Sequence, residues 1–405
     1  LMDILKKVAL RHGFVCLSTE KPVAALNGSG KHNNFSLMDS TGHNLFEPGE
    51  KASENLQFIV FLSAFIEAID KYQALIRMAS SNEGNDHRLG GYEAPPAILS
   101  IYLGDKLHQL FTQLAEATEI SAVELRELTT PIANLAALSI DATDRNRTAP
   151  ISFSGNKFEI RTLGASMNAS SLNAFVFVAM AESLENMADK LEKINPENQE
   201  ALHNAVMKIT HESMHNHHKI LFAGNNYDED WHSEAKQRGL VELDNYIDTV
   251  ETLIDPKSVA LLEKFNVLNQ AELEARYQVL IRDFIHSVKT QARIMTRMAQ
   301  EGVYPALLRY QIELENVAVN GFSESAKTRA VFNANLMDEL DAKTKELDQM
   351  IDKIIQSGDN ENIIRDMMNK LRPAMQELAA LLRKIELYCP YDVFPYPTEE
   401  ELIVV

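Results

Sequence analysis

The 405-residue chain carries 39 basic and 58 acidic side chains, a net charge of −19, with 45% hydrophobic and 24% charged residues. That balance excludes a disordered or collagen-like chain, and no apolar run reaches the ~18 residues of a membrane-spanning helix. It also argues against a broad nucleic-acid-binding face, which needs clustered Lys and Arg.

The first residue is Leu1, and LMDILKKVALRHG reads as a helix with Leu1, Ile4, Leu5 and Val8 on one stripe. The chain is therefore expected to begin inside a folded element, as a fragment would. GFVCLST then reads as a short strand, residues 54–80 as one mostly buried helix, and residues 169–193 as another. Between them Ile151 and Phe153 alternate with Ser152, SGN turns, and Phe158 and Ile160 alternate with Glu159 and Arg161, the pattern of a hairpin with one polar face. Of 16 glycines, 11 precede residue 191, where 22 acids face 16 bases; afterwards 36 acids face 23 bases. The first part reads as mixed α/β and the second as nearly all helix. Residues 334–355 and 363–385 carry apolar stripes joined by SGDN, which predicts an antiparallel helical hairpin, with a kink or fresh start at Pro373. The two cysteines, Cys16 and Cys389, form no disulfide scaffold, and a reducing cytoplasm is the expected location.

Four stretches could carry chemistry. In AALNGSGKHNN, residues 24–34, two glycines flank Ser29, so the backbone could approach a ligand; a plain glycine turn fits as well, and no P-loop spacing is present. GNDHRLGGYEAPPA, residues 84–97, sets Arg88 and Glu93 between glycines and prolines, as either a solvated turn or a substrate-handling loop. DRNRTAPISFSGNKFEIR, residues 144–161, holds Arg145, Arg147 and Arg161 with Glu159, either as a structural ion pair or as a pocket for phosphate and carboxylate. HESMH, residues 211–215, fits the H-E-x-x-H template of zinc peptidases, but three fixed positions recur by chance and a solvated helix is the plainer reading.

Together, NGSGKHNNFSL, GNDHRLGGYEAPPA and NRTAP with NKFEIR resemble the successive active-site segments of glutamine synthetases: NGSG-x-H, an R-L-x-x-GYEAP flap, NRS/T and an R/K-x-E-x-R strand. The wording is most similar to the type III branch, which continues with a long helical C-terminal region, and LFAGNNYDEDWHSEAKQRGL, residues 221–240, resembles that branch's signature there. The resemblance implies an α+β fold: residues 1–190 as the C-terminal part of the catalytic domain, with a mixed or antiparallel sheet and helices, and 191–405 as the helical C-terminal region. It implies ATP-dependent ligation of ammonia to glutamate through γ-glutamyl phosphate. His32 and Glu159 would hold Mg²⁺ or Mn²⁺, and Asn27, Gly28, Arg88 and Arg161 would bind glutamate. Glu93 would close the flap and take a proton from ammonium. Ser36, Arg147 and Lys157 would face ATP, with Arg147 and Arg88 also acting in catalysis.

Glutamate, ammonium and ATP are thus the expected partners of a homo-oligomeric ring, with neither nucleic acid nor membrane. Two departures stand out: Ser152 replaces a second arginine of many relatives, and Asn34 a further histidine of some. The family's other metal-binding glutamates would precede residue 1, so the fragment alone is expected to be inactive. Alternatives are a related glutamate–amine ligase, a non-catalytic regulatory paralogue and, from HESMH, a zinc peptidase.

Overall fold

The computed structural model describes residues 2–23, 26–49, 55–116, 146–195, 197–321, 323–356, 358, 360–398 and 401–402. The chain divides into two compact units, Leu1–Tyr277 and Gln278–Val405. Among the described residues no helix is long and apolar enough to cross a membrane.

In the first unit, α1 (Met2–Arg11) is amphipathic but has no buried residue. The expected strand GFVCLST does not form. Among the described residues the segment pairs with no other strand, and Phe14, Val15 and Leu17 stand exposed, because β propensity without a partner strand stabilises nothing. The GKHNN end of the glycine-rich stretch, for which the sequence leaves a ligand-approach loop and a glycine turn both open, lies in the strand β1 (Gly30–Phe35).

The helix expected over 54–80 is two helices, α2 (Leu56–Lys71) and α3 (Gln73–Met78). Asn55 caps the first, its side chain accepting from Phe58 N–H at 3.0 Å. It ends where Gln73 Nε2 donates to the Asp70 carbonyl at 3.0 Å and to Asp70 Oδ1 at 2.8 Å, a side chain competing for a helical acceptor. There follow α4 (Asn85–Arg88), β2 (Ile101–Tyr102), α5 (Asp105–Glu116), β3 (Ile151–Phe153), β4 (Phe158–Gly164), α6 (Ser170–Leu191) and α7 (Gln199–His217).

The strands form one mixed sheet in the order β1-β4-β3-β2, antiparallel except for the β2–β3 pair. The expected hairpin is β3–β4, with Ile151 opposite Ile160, Ser152 opposite Glu159 and Phe153 opposite Phe158. Alternation splits the sheet into two faces. On the apolar face Phe158 stacks on Phe65 of α2 with centroids 3.9 Å apart, and Phe46 meets it edge-on at 5.1 Å. Each such buried ring contributes about 1.5–3 kcal/mol. The opposite face carries Glu159 and Arg161, and it is buried as well, so the polar half of the hairpin looks into the protein. Behind α2 lie α6 and α7, packed through Ala64, Met187 and Ile209. Short helices α8 (Glu229–Gln237), α9 (Tyr246–Glu251) and α10 (Pro256–Lys264) complete this unit before α11 (Gln270–Met298), within which the division falls.

The second unit continues with α12 (Tyr304–Val319), α13 (Glu324–Ile355), α14 (Asn360–Asp366) and α15 (Arg372–Tyr388). Its hairpin is antiparallel as expected: Lys343 pairs with Glu377 at 2.7 Å, and the Tyr388 hydroxyl donates to the Arg329 carbonyl at 2.9 Å. Leu336, Leu340, Leu347 and Ile351 are buried, as are Ile364, Leu371, Leu378 and Ile385. The fresh start at Pro373 takes the form of a π turn, Met367–Leu371, directly before α15. A second π turn, Ala299–Val303, precedes Pro305 in the same way. A proline lacks the N–H that would bond four residues back, and one wider turn absorbs the mismatch.

Candidate functional site

The buried polar face of the sheet opens into a cleft of about 460 Å³ lined by Gly28, Gly30, His32, Arg88, Glu93, Asn146, Arg147, Ser152, Glu159 and Arg161. The three sequence segments thus converge on one cavity. Asn27, Lys31, Ser36 and Lys157 are not among its lining residues. Ser36 and Lys157 lie just beyond the Phe35–Phe158 pair, both exposed, and Lys31 donates to the Met167 carbonyl. Arg145 lies outside the described residues.

His32 sits at an irregularity of the β1–β4 ladder, where the register shifts between Lys31 and Asn33. Two residues of β4, Arg161 and Thr162, there oppose His32 alone, and such bulges re-aim a side chain. The imidazole Nδ1 comes within 2.7 Å of Glu159 Oε1, and the carboxylate is almost fully buried. A neutral imidazole nitrogen and a carboxylate oxygen are the donor set of Mg²⁺ or Mn²⁺ sites that use phosphate and water for their remaining positions. Among the described residues no cluster of three His, Cys, Asp or Glu forms a metal cage.

Arg88 is only 3% exposed. It donates from Nη1 to Leu163 O at 3.1 Å and Asn85 Oδ1 at 3.2 Å, and from Nη2 to Arg161 O at 3.2 Å, so the flap helix α4 is tied to β4. The NGSG glycines serve this packing. A Cβ on Gly30 would lie 2.1 Å from Arg88 Nη2, and one on Gly28 would lie 2.6 Å from the Glu20 carbonyl oxygen. Space that reads in the sequence as an approach path for a ligand is thus filled by a guanidinium and a neighbouring backbone. Sequence reasoning also passed over Glu20, a buried carboxylate that accepts from Ser166 N–H at 3.1 Å and lies close enough to Arg88 to act on its charge.

Arg161 extends to the Asn146 and Arg147 carbonyls, fixing the NRT turn. Burial, and then the like charge of Arg161, push Arg88 down to about 10; burial likewise lowers Arg161, with Glu159 opposing. Both stay cationic at neutral pH, and two buried like charges side by side favour an anion between them. Ser152 is buried with no hydrogen-bond partner for its hydroxyl. At the flap tip Tyr92 and Glu93 hold φ of 51° and 65°, a left-handed conformation that costs non-glycine residues about 1–3 kcal/mol each. Lys21 Nζ lies 4.1 Å above the Tyr92 ring, and Glu93 is exposed.

The helical region braces the NRT turn at the edge of the cleft. Asn146 Nδ2 donates to the Gly224 carbonyl at 2.8 Å, Asn226 N–H to Thr148 Oγ1 at 2.9 Å, and the Ser100 hydroxyl to Asn226 Oδ1 at 2.7 Å. The HESMH stretch lies elsewhere, on α7, and is not simply solvated. His211 and His215 donate from Nδ1 to the carbonyls of Leu114 and Ala115 at 2.7 and 3.1 Å, capping the last turn of α5, while Glu212 pairs with Lys190 at 2.7 Å. His211→Ala is expected to lower stability by about 1 kcal/mol, as loss of a cap does, measured by denaturant unfolding; an unchanged midpoint would contradict the capping role.

Residues 205–320 match the family profile described as the glutamine synthetase C-terminal domain. The chain is 38% identical over 312 residues to type-3 glutamine synthetase of Dictyostelium discoideum, a match covering 77% of this chain and 42% of that protein. It is 30% identical to a glutamine synthetase of Butyrivibrio fibrisolvens and 30% to one of Bacteroides fragilis (strain YCH46), with 99% of this chain covered in each case and 58% and 57% of the relative. The chain belongs to the glutamine synthetase family, on its type III branch. It spans 42 to 58% of the length of these relatives.

Proposed function

We propose that this chain contributes the glutamate, metal and flap side of a site that makes glutamine from glutamate, ammonium and ATP. The observation that carries the reading is the convergence of two buried guanidiniums, a His–carboxylate pair and an exposed flap carboxylate on one cleft. Arg88 and Arg161 hold the carboxylates of glutamate, with Asn27 and Gly28 at its amino-acid end. Arg147 meets the phosphate that leaves ATP, and Ser36 and Lys157, beyond the cleft, meet the rest of the nucleotide. His32 and Glu159 hold a divalent ion, Mg²⁺ or Mn²⁺, which offsets phosphate charge when bound. The γ-carboxylate attacks the γ-phosphorus, ADP leaves, and ammonia displaces phosphate from the γ-glutamyl phosphate. Glu93, closing over the cleft, takes the proton that ammonium loses and keeps water from the acyl phosphate.

Residues 1–190 are the catalytic part and 191–405 the helical region in this reading, in a homo-oligomeric ring of the cytoplasm. Calorimetric titration with Mg²⁺, ATP and a γ-glutamyl phosphate mimic tests it: saturable binding of the mimic is expected, and no binding would overturn it. Bound anions should also stabilise the fold, since they add counter-charge beside two adjacent buried cations; at a hundred times the dissociation constant the gain is about 2.7 kcal/mol, read as a raised melting temperature. Residues 1–405 alone are expected to form no glutamine, because among the described residues no group of three His, Cys, Asp or Glu could hold a metal ion, and His32 and Glu159 are one pair. Turnover by residues 1–405 would overturn that expectation.

A further inference from the structure

Tyr227 lies in the segment of the helical region that braces the NRT turn beside the cleft, through the bonds of Gly224 and Asn226 to Asn146 and Thr148. Its hydroxyl is fully enclosed and has no hydrogen-bond partner. A buried hydroxyl left unpaired is costly, so an acceptor brought to it in another state of the protein would be stabilised. Burial raises this phenol, so it is a donor throughout the neutral range, and the charges acting on it are those of Arg161, Glu93 and Arg88. The two arginines are donors only and cannot accept its proton. Of the three, Glu93 alone can, and Glu93 is exposed on a flap tip whose backbone is held at positive φ. Tyr227 is itself well placed to act as a fixed post. Its neighbour Asn226 donates from its backbone and side chain to Thr148 Oγ1 at 2.9 and 3.2 Å and accepts from Ser100, which ties this segment to the NRT turn.

We propose that Tyr227 is a positioning residue that receives the flap: when the cleft closes, its hydroxyl donates to the Glu93 carboxylate and aims that carboxylate at the incoming ammonium. The assignment rests on the proposed glutamine-forming reaction. A hydrogen bond to a charged group, together with the order it imposes on a flexible loop, predicts an effect on the ammonia half-reaction and not on ATP binding.

The test is steady-state kinetics of the protein expressed from its own gene, wild type against Tyr227→Phe, which keeps the ring and its packing. About a tenfold rise in KM for ammonium is expected, with KM for ATP unchanged and more phosphate released per glutamine formed as water competes for the acyl phosphate. Adding Glu93→Gln to Tyr227→Phe should then cost no more than Glu93→Gln alone, since the hydroxyl would have lost the group it serves. A wild type that makes glutamine, with Tyr227→Phe equal to it in KM for ammonium and in coupling, overturns the assignment alone, as does full additivity in the double variant. A wild type that forms no glutamine from glutamate, ATP and ammonium overturns the proposed function and the assignment with it.

Discussion

Glu159→Ala is expected to abolish metal-dependent glutamine formation by the protein expressed from its own gene and to weaken Mn²⁺ binding at least a hundredfold. The carboxylate is 5% exposed, touches the His32 ring at 2.7 Å, and is the first charge that opposes the burial of Arg161. Removing it takes away one of the two proposed metal donors and leaves a guanidinium in the interior without that counter-charge. Breaking such a buried pair costs about 3 kcal/mol or more, so the melting temperature should fall as well. Glu159→Gln separates the two effects: shape is kept, the metal loss should persist, and the stability loss should shrink because an amide can still accept hydrogen bonds. Undiminished turnover in Glu159→Ala would show that the metal role is misassigned.

Gly30→Ala should be nearly as damaging, although it adds one methyl group. That methyl would stand 2.1 Å from Arg88 Nη2 and 2.5 Å from its Cζ, far inside contact distance. A flexible side chain could usually swing away, but this guanidinium is enclosed and spends its donors on Asn85 Oδ1 and the carbonyls of Leu163 and Arg161. Displacing it strands those acceptors and removes one of the two cations facing the anion. A stability loss of about 1–3 kcal/mol and a rise of about a hundredfold in KM for glutamate are expected. The double variant Gly30→Ala/Arg88→Ala identifies the cause. If the clash with Arg88 is the mechanism, the double variant is no worse than Arg88→Ala; if the losses add, the glycine serves something else.

The site was legible where chemistry dictates residue type in order along the chain. His32, Arg88, Glu93, Glu159 and Arg161 stand in a motif order that groups them, and the β3–β4 hairpin could be read from alternation alone. What lay hidden depends on partners far apart in sequence. Alternation puts Glu159 and Arg161 on one face but cannot say that the face is buried. The register shift at His32 leaves no mark in the sequence, because it is a property of two strands. The same holds for His211 and His215, whose carbonyl partners lie about a hundred residues upstream on α5. GFVCLST shows the opposite failure: its composition suits a strand, and nothing pairs with it. Tyr227 had a faint signal, the polar-dense GNNYDED stretch beginning at Gly224, but only the distribution of charges around the phenol gives it meaning.

The bonds from Gly224 and Asn226 to the NRT turn bear on how this protein can be divided, in the laboratory and in evolution. Composition changes near residue 190, yet a chain shortened there would lose the groups that hold Asn146 and Thr148, and so the carbonyls that Arg161 grips. The sheet is therefore not expected to keep its NRT turn when expressed without residues 221–228. Any lineage that discarded residues 221–228 would have to rebuild the turn that carries Arg147, and a substitution at Asn226 should be felt as a defect of the cleft.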